Sequence, residues 1–542
     1  MAKRYDIVIV GAGAAGCVLA SRLTEDPDRQ VLLIEAGPPD KSWLLHLPMA
    51  VAKVWSNPRF NWSYESEAEP HAAGRRIFHP RGKVLGGSTS INMMSYVRGH
   101  RADFDRWRDN GLPSWGYRDV LPYFKRSESW EGGASTYRGG DGPLGVSTSK
   151  APDEAYDAFL ASASEMGYGL AKDYNGADQE GFARTQHLVS RGRRSSGAAT
   201  YLKRAQGRPN LDILTGVHAT QILFEGSRAV GIEYLSLGQR RQIRSEGEII
   251  LAGGAYNSPQ LLMLSGIGPS NHLKALGIPV KLDLPNVGRN LQDHGALRFA
   301  YRRKRPSRSR QELRYDRLAV SALEALALRK GFLSEAPGGG TAFIRSDRDQ
   351  TIPDLEIFCA NFPFTAHEWF PGIQPPEYDG FAFKTCHLRP TSRGWVELAS
   401  ADPTEAPRFT VNFLGTDADM KAHRESIHRI REIVATRAFR EIAGAEVEPG
   451  PDIRSASEID AHIRQSVETI FHPCGTCRMG SDPASVVDLD FRVRGASNLR
   501  VVDASVMPDL VGATINAPVM MIAERAADLL RGKAPLPPMA EA

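Results

Sequence analysis

The sequence predicts an α/β fold in which one sheet-containing domain is interrupted by another. The chain begins with a short apolar, β-branched run, Tyr5–Val10, and a glycine-rich turn and a helical pattern follow at once. About 70 residues at the end of the chain return to this alternation of strand and helix. Between about residues 300 and 465 the sequence is instead rich in aromatic residues, prolines and turns. We therefore expect a second domain to be inserted into the first.

The glycine-rich turn after the first predicted strand has the pattern Gly-x-Gly-x-x-Gly. Its glycines are Gly11, Gly13 and Gly16, with Ala14 and Ala15 between them. Such a turn lets the backbone approach a pyrophosphate, whose charge is met by free N–H groups and by the positive end of the helix dipole. The turn thus predicts a dinucleotide site.

A second predicted strand strengthens this interpretation. Val31–Ile34 is a continuous apolar run that ends in Glu35, with Ala36 next. An acidic side chain at the end of this strand accepts hydrogen bonds from the ribose hydroxyls of an adenosine. The glycine pattern alone would be weak, but the strand, turn, helix and acidic residue together predict dinucleotide binding.

The remaining predicted elements follow from periodicity and from turn residues. A loop-rich stretch from 37 to 80 contains six prolines. Helices are predicted at 153–166, 257–264 and 517–530, and strands at 211–217, 229–234, 243–250 and 499–503.

Composition excludes several classes of protein. With 542 residues, 42% of them hydrophobic, the chain is long enough for more than one domain, and a net charge of +4 does not indicate nucleic-acid binding. No apolar run reaches the roughly 20 residues that span a bilayer. The residues before the first strand do not resemble a secretory leader, and we expect a cytoplasmic location.

One segment is locally basic. Between residues 298 and 317 there are nine arginine or lysine side chains against two acidic ones. A solvated, mobile loop is the expected structure, because charge runs are usually solvated, and contact with an anionic membrane surface or partner is the alternative.

The five cysteines do not form a disulfide or metal pattern. Cys17, Cys359 and Cys386 are scattered, and Cys474 and Cys477 have the Cys-x-x-Cys spacing without a second pair for zinc or a thioredoxin-like unit. We expect a structural role for this pair, no metal site and a reducing compartment.

Small and hydroxyl residues are concentrated between Arg81 and Asn92. They allow the backbone to pass close to a flat or charged ligand. This segment and the glycine turn resemble parts of a known family, the glucose-methanol-choline flavoprotein oxidoreductases. The segments that carry the resemblance are Gly11–Gly16 with Glu35, Arg81–Gly99, Gly254–Pro269, His472–Gly480 and Asn516–Pro518.

The resemblance implies a Rossmann-like FAD-binding domain built from residues 1–150, 195–300 and 465–535. It also implies a sheet-based substrate-binding domain built from residues 151–194 and 301–464. The implied FAD-binding residues are Gly11, Gly13, Ala14, Ala15, Gly16, Glu35, Ala36, Gly87, Ser88, Asn92, Val217, Asp503, Ala504, Asn516 and Pro518. Some family members tether the flavin through a histidine before the signature asparagine, but this chain has Ile91 there, so FAD is expected to be non-covalent. Met93 follows the asparagine where a glycine is common, which places a bulkier side chain near the reactive edge of the flavin.

The same resemblance implies that His472 and Asn516 are the catalytic pair. Hydride leaves an alcohol carbon readily only when the hydroxyl proton also leaves, and histidine is suited to accept that proton. An asparagine amide can donate to the developing alkoxide without acting as a competing base. His294 and His387 are expected to be structural.

The predicted function is FAD-dependent oxidation of an alcohol CH–OH group to the aldehyde or ketone, with oxygen or a quinone-like carrier as the electron acceptor. Aromatic residues between Phe358 and Phe383 favour a primary alcohol of apolar, aromatic or allylic type, although aromatics more often form core. Choline is a weaker fit, because the sequence does not locate an aromatic cage or carboxylate for its ammonium group. The alternatives are a flavin-containing lyase that cleaves cyanohydrins, a fatty acid photodecarboxylase and a non-enzymatic flavin-binding scaffold.

Overall fold

Two seven-stranded sheets form the framework of the protein. The structure is a computed structural model and describes residues 4–347 and 349–540. In the first sheet the opening strand, Tyr5–Val10, pairs in parallel with Val31–Glu35 on one side and with the end of Gln239–Leu251 on the other. Val31–Glu35 is buried at every position, as expected for a parallel strand covered on both faces. The spatial order is Leu211–Thr215, Val31–Glu35, Tyr5–Val10, Gln239–Leu251, Arg228–Ser236 and His218–Glu225, and Leu499–Val501 also pairs with Gln239–Leu251.

Helices from opposite ends of the chain cover this sheet. Ala14–Leu23 starts within the glycine turn and packs against the C-terminal helix Asn516–Leu530. Arg22 on the first helix donates to the buried carboxylate of Glu524 on the second. This packing fixes the N-terminus of Asn516–Leu530 relative to the glycine turn.

The second sheet is antiparallel and is formed by the middle of the chain. Its spatial order is Ala443–Glu448, Gly295–Arg303, Gly380–His387, Leu355–Ala360, Gly340–Ile344 and Gly181–Arg184, and Glu468–Thr469 also pairs with Gly295–Arg303.

Shorter elements and further helices connect and cover the two sheets. The helices are Trp43–His46, Val51–Trp55, Arg101–Asp109, Tyr117–Ser127, Glu154–Glu165, Lys203–Ala205, Gly254–Leu264, Ser270–Ala275, Arg308–Glu312, Tyr315–Leu328, Asp417–Ala435, Arg437–Arg440 and Ala456–Ser466. Single turns of 3₁₀-helix are Pro48–Ala50, Gly87–Ser90, Phe332–Ser334 and Ala504–Val506, and Ala198–Leu202 is a π-helical turn. The short strands are Tyr64–Glu65, Phe78–His79, Glu128–Trp130, Leu144–Thr148, Gln186–His187, Val189–Ser190, Arg193–Arg194, Ile267–Gly268, Leu282–Asp283, Arg289–Leu291, Gly394–Glu397 and Arg408–Thr410.

The predicted mixed α/β fold is confirmed, with differences in individual elements. The helix predicted from residue 257 begins earlier, at Gly254, because Asp503 accepts a hydrogen bond from the Gly254 N–H and so caps it from outside the segment. Arg101–Asp109 and Tyr117–Ser127 were not predicted as helices, because their aromatic residues and prolines obscure the periodicity.

The basic segment 298–317 is not the solvated loop that we expected. It continues the strand Gly295–Arg303 and then forms two helices, Arg308–Glu312 and the start of Tyr315–Leu328. Local carboxylates offset part of its charge, since Arg308 lies 3.2 Å from Glu312 and Arg314 lies 2.8 Å from Asp316. Of the helices that the structure describes, none is both long and apolar enough to span a membrane.

Candidate cofactor and catalytic site

A cavity of about 900 Å³ lies between the two sheets. It extends from the glycine turn and Glu35, at one end, to His472 and Asn516. The structure brings together around it the predicted residues Gly11, Gly13, Ala14, Ala15, Glu35, Ala36, Gly87, Ser88, Asn92, Val217, Asp503, Ala504, His472 and Asn516. Gly16 and Pro518 lie behind this surface and do not line the cavity.

The bare backbone of the glycine turn is required by close packing. A Cβ on Gly11 would lie 2.5 Å from the Ala252 carbonyl oxygen, and a Cβ on Gly16 would lie 1.9 Å from the Gly11 carbonyl oxygen. Gly87 has φ +53°, and a Cβ there would lie 2.7 Å from the Cα of Gly13. Gly16 therefore shapes the turn, while Gly11, Gly13 and Gly87 present unobstructed backbone at the cavity wall, as a bound pyrophosphate requires.

Glu35 is held at the end of its strand by two backbone donors. Its carboxylate accepts from Ala12 N at 2.9 Å and from Gly37 N at 2.8 Å. Burial raises its pKa to about 7, and the two hydrogen bonds act in the opposite direction by lowering it. A carboxylate has about four acceptor positions, so two remain for ribose hydroxyls. The Val217 N–H donates to the Glu35 carbonyl oxygen at 3.0 Å, which places both residues at the same end of the cavity.

A buried arginine that we did not predict fixes Asn92. Arg194 Nη1 donates to the side-chain oxygen of Asn92 at 2.8 Å and to its carbonyl oxygen at 2.6 Å. Burial lowers the pKa of Arg194 to about 9, and its Nη2 atom has no hydrogen-bond partner among the described residues. Arg194 therefore places a buried positive charge behind the part of the cavity wall that Asn92 forms.

Asp503 supports the site through its side chain. One carboxylate oxygen accepts from Gly254 N at 2.8 Å and from Ser258 Oγ at 2.6 Å, and the other accepts from Ser505 N at 2.8 Å and from Ser505 Oγ at 2.5 Å. Because both oxygens are occupied, contact with a cofactor would come from the backbone of Asp503 and from Ala504.

His472 is positioned from both its backbone and its ring. Its N–H donates to Asp293 Oδ1 at 2.7 Å, and its Nδ1 lies 2.9 Å from Nδ1 of His294. The other ring nitrogen of His294, Nε2, lies 3.1 Å from the Leu388 carbonyl oxygen. The predicted structural histidine thus lies in direct contact with the predicted catalytic one.

These contacts determine which nitrogen of His472 carries a proton. A carbonyl oxygen only accepts, so His294 Nε2 is the donor to Leu388. Burial lowers the pKa of His294 to about 3, so its ring is neutral and its Nδ1 accepts. His472 must then donate from Nδ1, which leaves its Nε2 unprotonated toward the cavity.

The electrostatic environment keeps His472 neutral. Burial lowers its pKa well below 6.5, and the nearby His294 and the positive charges of Arg81 and Lys384 lower it further. A neutral imidazole with a free Nε2 can accept a proton at pH 7.

Asn516 is the first residue of the helix Asn516–Leu530. Its side-chain Nδ2 is buried and has no hydrogen-bond partner among the described residues. Such an unsatisfied donor is costly unless a bound molecule supplies the acceptor. Its place at the positive end of a helix also suits a partner that carries negative charge.

Sequence reasoning missed Arg194, Arg81 and Asp293, and it assigned His294 a structural role. The one signal in the sequence was the tripeptide Gln292-Asp-His294, which contains Asp293 and His294. His387, also expected to be structural, lies 3.8 Å from Asp419, outside the cavity lining.

The remaining sequence features are divided between cavity and core. Ile91 and Met93 line the cavity, and Met93 is 44% exposed. Among the aromatic residues, Phe358 lines the cavity with Phe362 and Phe364, whereas Phe381 and Phe383 are fully buried in the core. All five cysteines are buried free thiols.

The sequence matches the models of the N-terminal and C-terminal domains of GMC oxidoreductases, over residues 5–296 and 390–523. The chain belongs to this family. It is 43% identical to human mitochondrial choline dehydrogenase over 540 residues, which cover 98% of this chain and 90% of the relative. It is 41% identical to the oxygen-dependent choline dehydrogenase of Vibrio vulnificus, over 99% of this chain and 96% of the relative.

Solved structures agree with this assignment. Pyridoxine 4-oxidase from Mesorbium loti has a TM-score of 0.87 and 32% identity, over 98% of this chain and all of the other. Formate oxidase from Aspergillus oryzae has a TM-score of 0.89 and 26% identity, over 98% of each chain. The protein is therefore an FAD-dependent oxidoreductase that acts on CH–OH groups, and the comparisons give no support to the lyase alternative.

Proposed function

We propose that the enzyme oxidises a neutral primary alcohol with an apolar body, with His472 as the general base and Asn516 as the partner of the developing alkoxide. The observation that carries this proposal is the chain of hydrogen bonds from the Leu388 carbonyl through His294 to His472. It fixes the tautomer in which Nε2 of His472 is free to accept.

The protein groups then act as follows. The alcohol hydroxyl donates to Nε2 of His472, which takes the proton as the C–H bond breaks. The unpaired Nδ2 of Asn516 donates to the alcohol oxygen as negative charge develops there. Bound FAD supplies the two-electron acceptor for the hydride. The sites proposed to hold it are the glycine turn, Glu35, Asn92, Val217 and the segment from Asp503 to Ala504.

The charges near His472 favour a neutral substrate over a cation. Arg81, Arg298 and Lys384 line this part of the cavity together with the carboxylate of Glu468. Glu468 is already paired, because its Oε1 lies 2.7 Å from Lys384 Nζ and 3.6 Å from Arg298 Nε. The carboxylates of Asp293, beside His472, and of Glu448, 3.9 Å from Arg298, offset the remaining positive charge. Asp293 accepts from the N–H groups of His294 and His472, so neither it nor Glu468 is free to bind a quaternary ammonium group.

Choline and its neutral isostere 3,3-dimethyl-1-butanol provide a matched test, because they share a shape and differ in charge. The flavin absorbance of the FAD-loaded enzyme is followed after anaerobic mixing with each alcohol. We expect the isostere to reduce the flavin with the larger second-order rate constant. A rate constant at least tenfold larger for choline would refute the electrostatic argument and favour choline oxidation, the activity for which the two relatives are named.

The same experiment distinguishes the electron acceptors. Return of the flavin absorbance when air is admitted would show that oxygen is the acceptor, and slow return would favour a quinone-like carrier. Non-covalent binding is tested by acid precipitation, which should leave the yellow colour in the supernatant, because Ile91 offers no nucleophile for a tether. Flavin that stays with the washed precipitate would contradict it.

We also propose the domain division of the sequence analysis, with 1–150, 195–300 and 465–535 as the FAD-binding domain. The strands of the first sheet all come from these segments, which supports the division. A cytoplasmic location is supported by the five free, buried cysteines.

A further inference from the structure

The helix Tyr315–Leu328 has an outward face made of apolar residues. Between Arg317 and Arg329, every exposed residue of this helix is an alanine, a valine or a leucine. The larger ones are Val320, Leu323, Leu326 and Leu328, whose exposures are 56%, 70%, 49% and 60%. Single exposed apolar residues are common, but a continuous apolar helix face marks an interaction surface.

The opposite face of the same helix belongs to the cavity wall. Leu318 and Ala322 line the cavity, and Ala325 is buried against Leu47 and Ala50, on the segment that lines the cavity beside it. The helix therefore separates the cavity from whatever contacts its outer face.

The apolar surface extends beyond the helix. The Tyr315 hydroxyl lies 3.5 Å from Oε1 of Gln374, and Tyr315 is 44% exposed. Next to Gln374, Ile373 is 75% exposed at the tip of its turn. We call this surface, formed by the outer face of Tyr315–Leu328 and by Ile373, the apolar face.

Basic residues lie at both ends of the apolar face. Arg317 is exposed on its first turn, and Arg329 and Lys330 are exposed just after its last. The ion pairs recorded for residues 4–347 and 349–540 include none of these three side chains, whereas the nearby acidic residue Asp316 is paired with Arg314 at 2.8 Å. The available charges at the two ends of the apolar face are therefore positive, apart from the half-buried carboxylate of Glu324, which lies against Gly331 at the C-terminal end.

We propose that the apolar face docks on the surface of a bilayer that contains anionic phospholipids, with the helix lying in the interface plane. An amphipathic helix with an apolar face and basic flanks binds such a surface through both apolar burial and attraction to the headgroups. A second copy of the chain is disfavoured as the occupant, because an antiparallel pair would bring Arg317 against Arg329 and Lys330. The proposal is independent of which alcohol the enzyme oxidises.

The test is sedimentation of the FAD-loaded enzyme with vesicles of phosphatidylcholine, with and without phosphatidylglycerol. We expect binding that requires the anionic lipid and weakens with added salt. Leu323→Glu should reduce the partition coefficient at least tenfold, and replacing Arg329 and Lys330 with glutamine should reduce it roughly fivefold per residue. The matched control is Leu237→Glu, because Leu237 is 95% exposed in the hairpin turn between two strands of the first sheet.

Three results would overturn the proposal. The first is failure of the wild-type enzyme to bind anionic vesicles at low salt, and the second is unchanged binding by Leu323→Glu. The third is conversion of an oligomer to a monomer by Leu323→Glu in sedimentation velocity, which would show that the face joins two copies. Flavin content and thermal melting of each variant establish that it is folded, so a loss of binding reports on the surface.

Discussion

Replacing His472 with alanine tests the proposed chemistry most directly. The change removes the ring whose Nε2 we propose as the proton acceptor, and it leaves the Asp293 contact intact, because that contact is made by the backbone N–H of residue 472. The residues proposed to hold the adenosine end of FAD are at the other end of the cavity. We therefore expect the variant to fold and to retain FAD.

The size of the effect follows from the loss of a general base. Such assistance is worth roughly 10²- to 10⁴-fold, or about 3 to 5 kcal/mol of barrier. Burial keeps the pKa of His472 well below 6.5, so the base is already unprotonated at pH 7. The wild-type rate of flavin reduction should therefore fall only when the pH drops well below 6.5.

The assay is anaerobic stopped-flow reduction of the flavin by the best alcohol, measured across substrate concentration. For His472→Ala, the limiting rate should fall and the apparent dissociation constant should change little. His423→Ala is a suitable control, because His423 is a fully buried histidine that does not line the cavity. That variant can lose stability but should be reduced at the wild-type rate. A His472→Ala enzyme that retains its FAD and is reduced as fast as wild type would refute the mechanism.

Three further predictions concern single side chains. Asn516→Ala should slow flavin reduction less than His472→Ala, since one hydrogen bond is lost while the base remains; an equal or larger loss in stopped-flow reduction would contradict this. Glu35→Ala should lower the FAD content of the purified protein more than the turnover of molecules that retain FAD, and a normal absorbance ratio of flavin to protein would contradict the ribose contact. For Glu356, burial raises the pKa from 4.5 to about 8, so the wild-type protein loses stability as the pH rises from 4.5 through 8. Glu356→Gln should therefore gain stability relative to wild type by about 2 to 3 kcal/mol between pH 5.5 and 7.5 in denaturant titrations, and a gain that does not grow with pH would contradict the raised pKa.

The cofactor end of the site was accessible to sequence analysis because its chemistry is local. The glycine turn, the preceding strand and the following helix are consecutive in the chain, and the packing of Gly11 and Gly16 shows why only glycine fits there. Glu35 ends the next predicted strand, which places it beside the turn by the geometry of parallel strands.

Other features depend on contacts between distant segments and leave no local pattern. The second sheet joins strands as far apart as Gly181–Arg184 and Ala443–Glu448, and its order does not follow the order of the chain. Arg194 reaches Asn92 across 102 positions, in a segment where no periodicity indicated burial. The prediction for the basic segment 298–317 was wrong because its many charged residues hid the apolar pattern of the helix that begins at Tyr315.

The role of His294 shows most clearly what sequence alone could not supply. A family resemblance can indicate which histidine accepts a proton, but it does not say which of the two ring nitrogens is free. That choice depends on the backbone carbonyl oxygen of Leu388, which lies 94 positions from His294 in the chain and just beyond the strand Gly380–His387. Because every residue has a backbone carbonyl, the residue type at position 388 does not indicate this interaction, and no sequence motif predicts it. Once the second sheet has formed, Leu388 fixes the proton on His294 Nε2, His294 fixes the proton on His472 Nδ1, and the proposed base is oriented before substrate arrives. In the proposed mechanism the antiparallel sheet thus contributes to catalysis by setting a tautomer, in addition to covering the cavity.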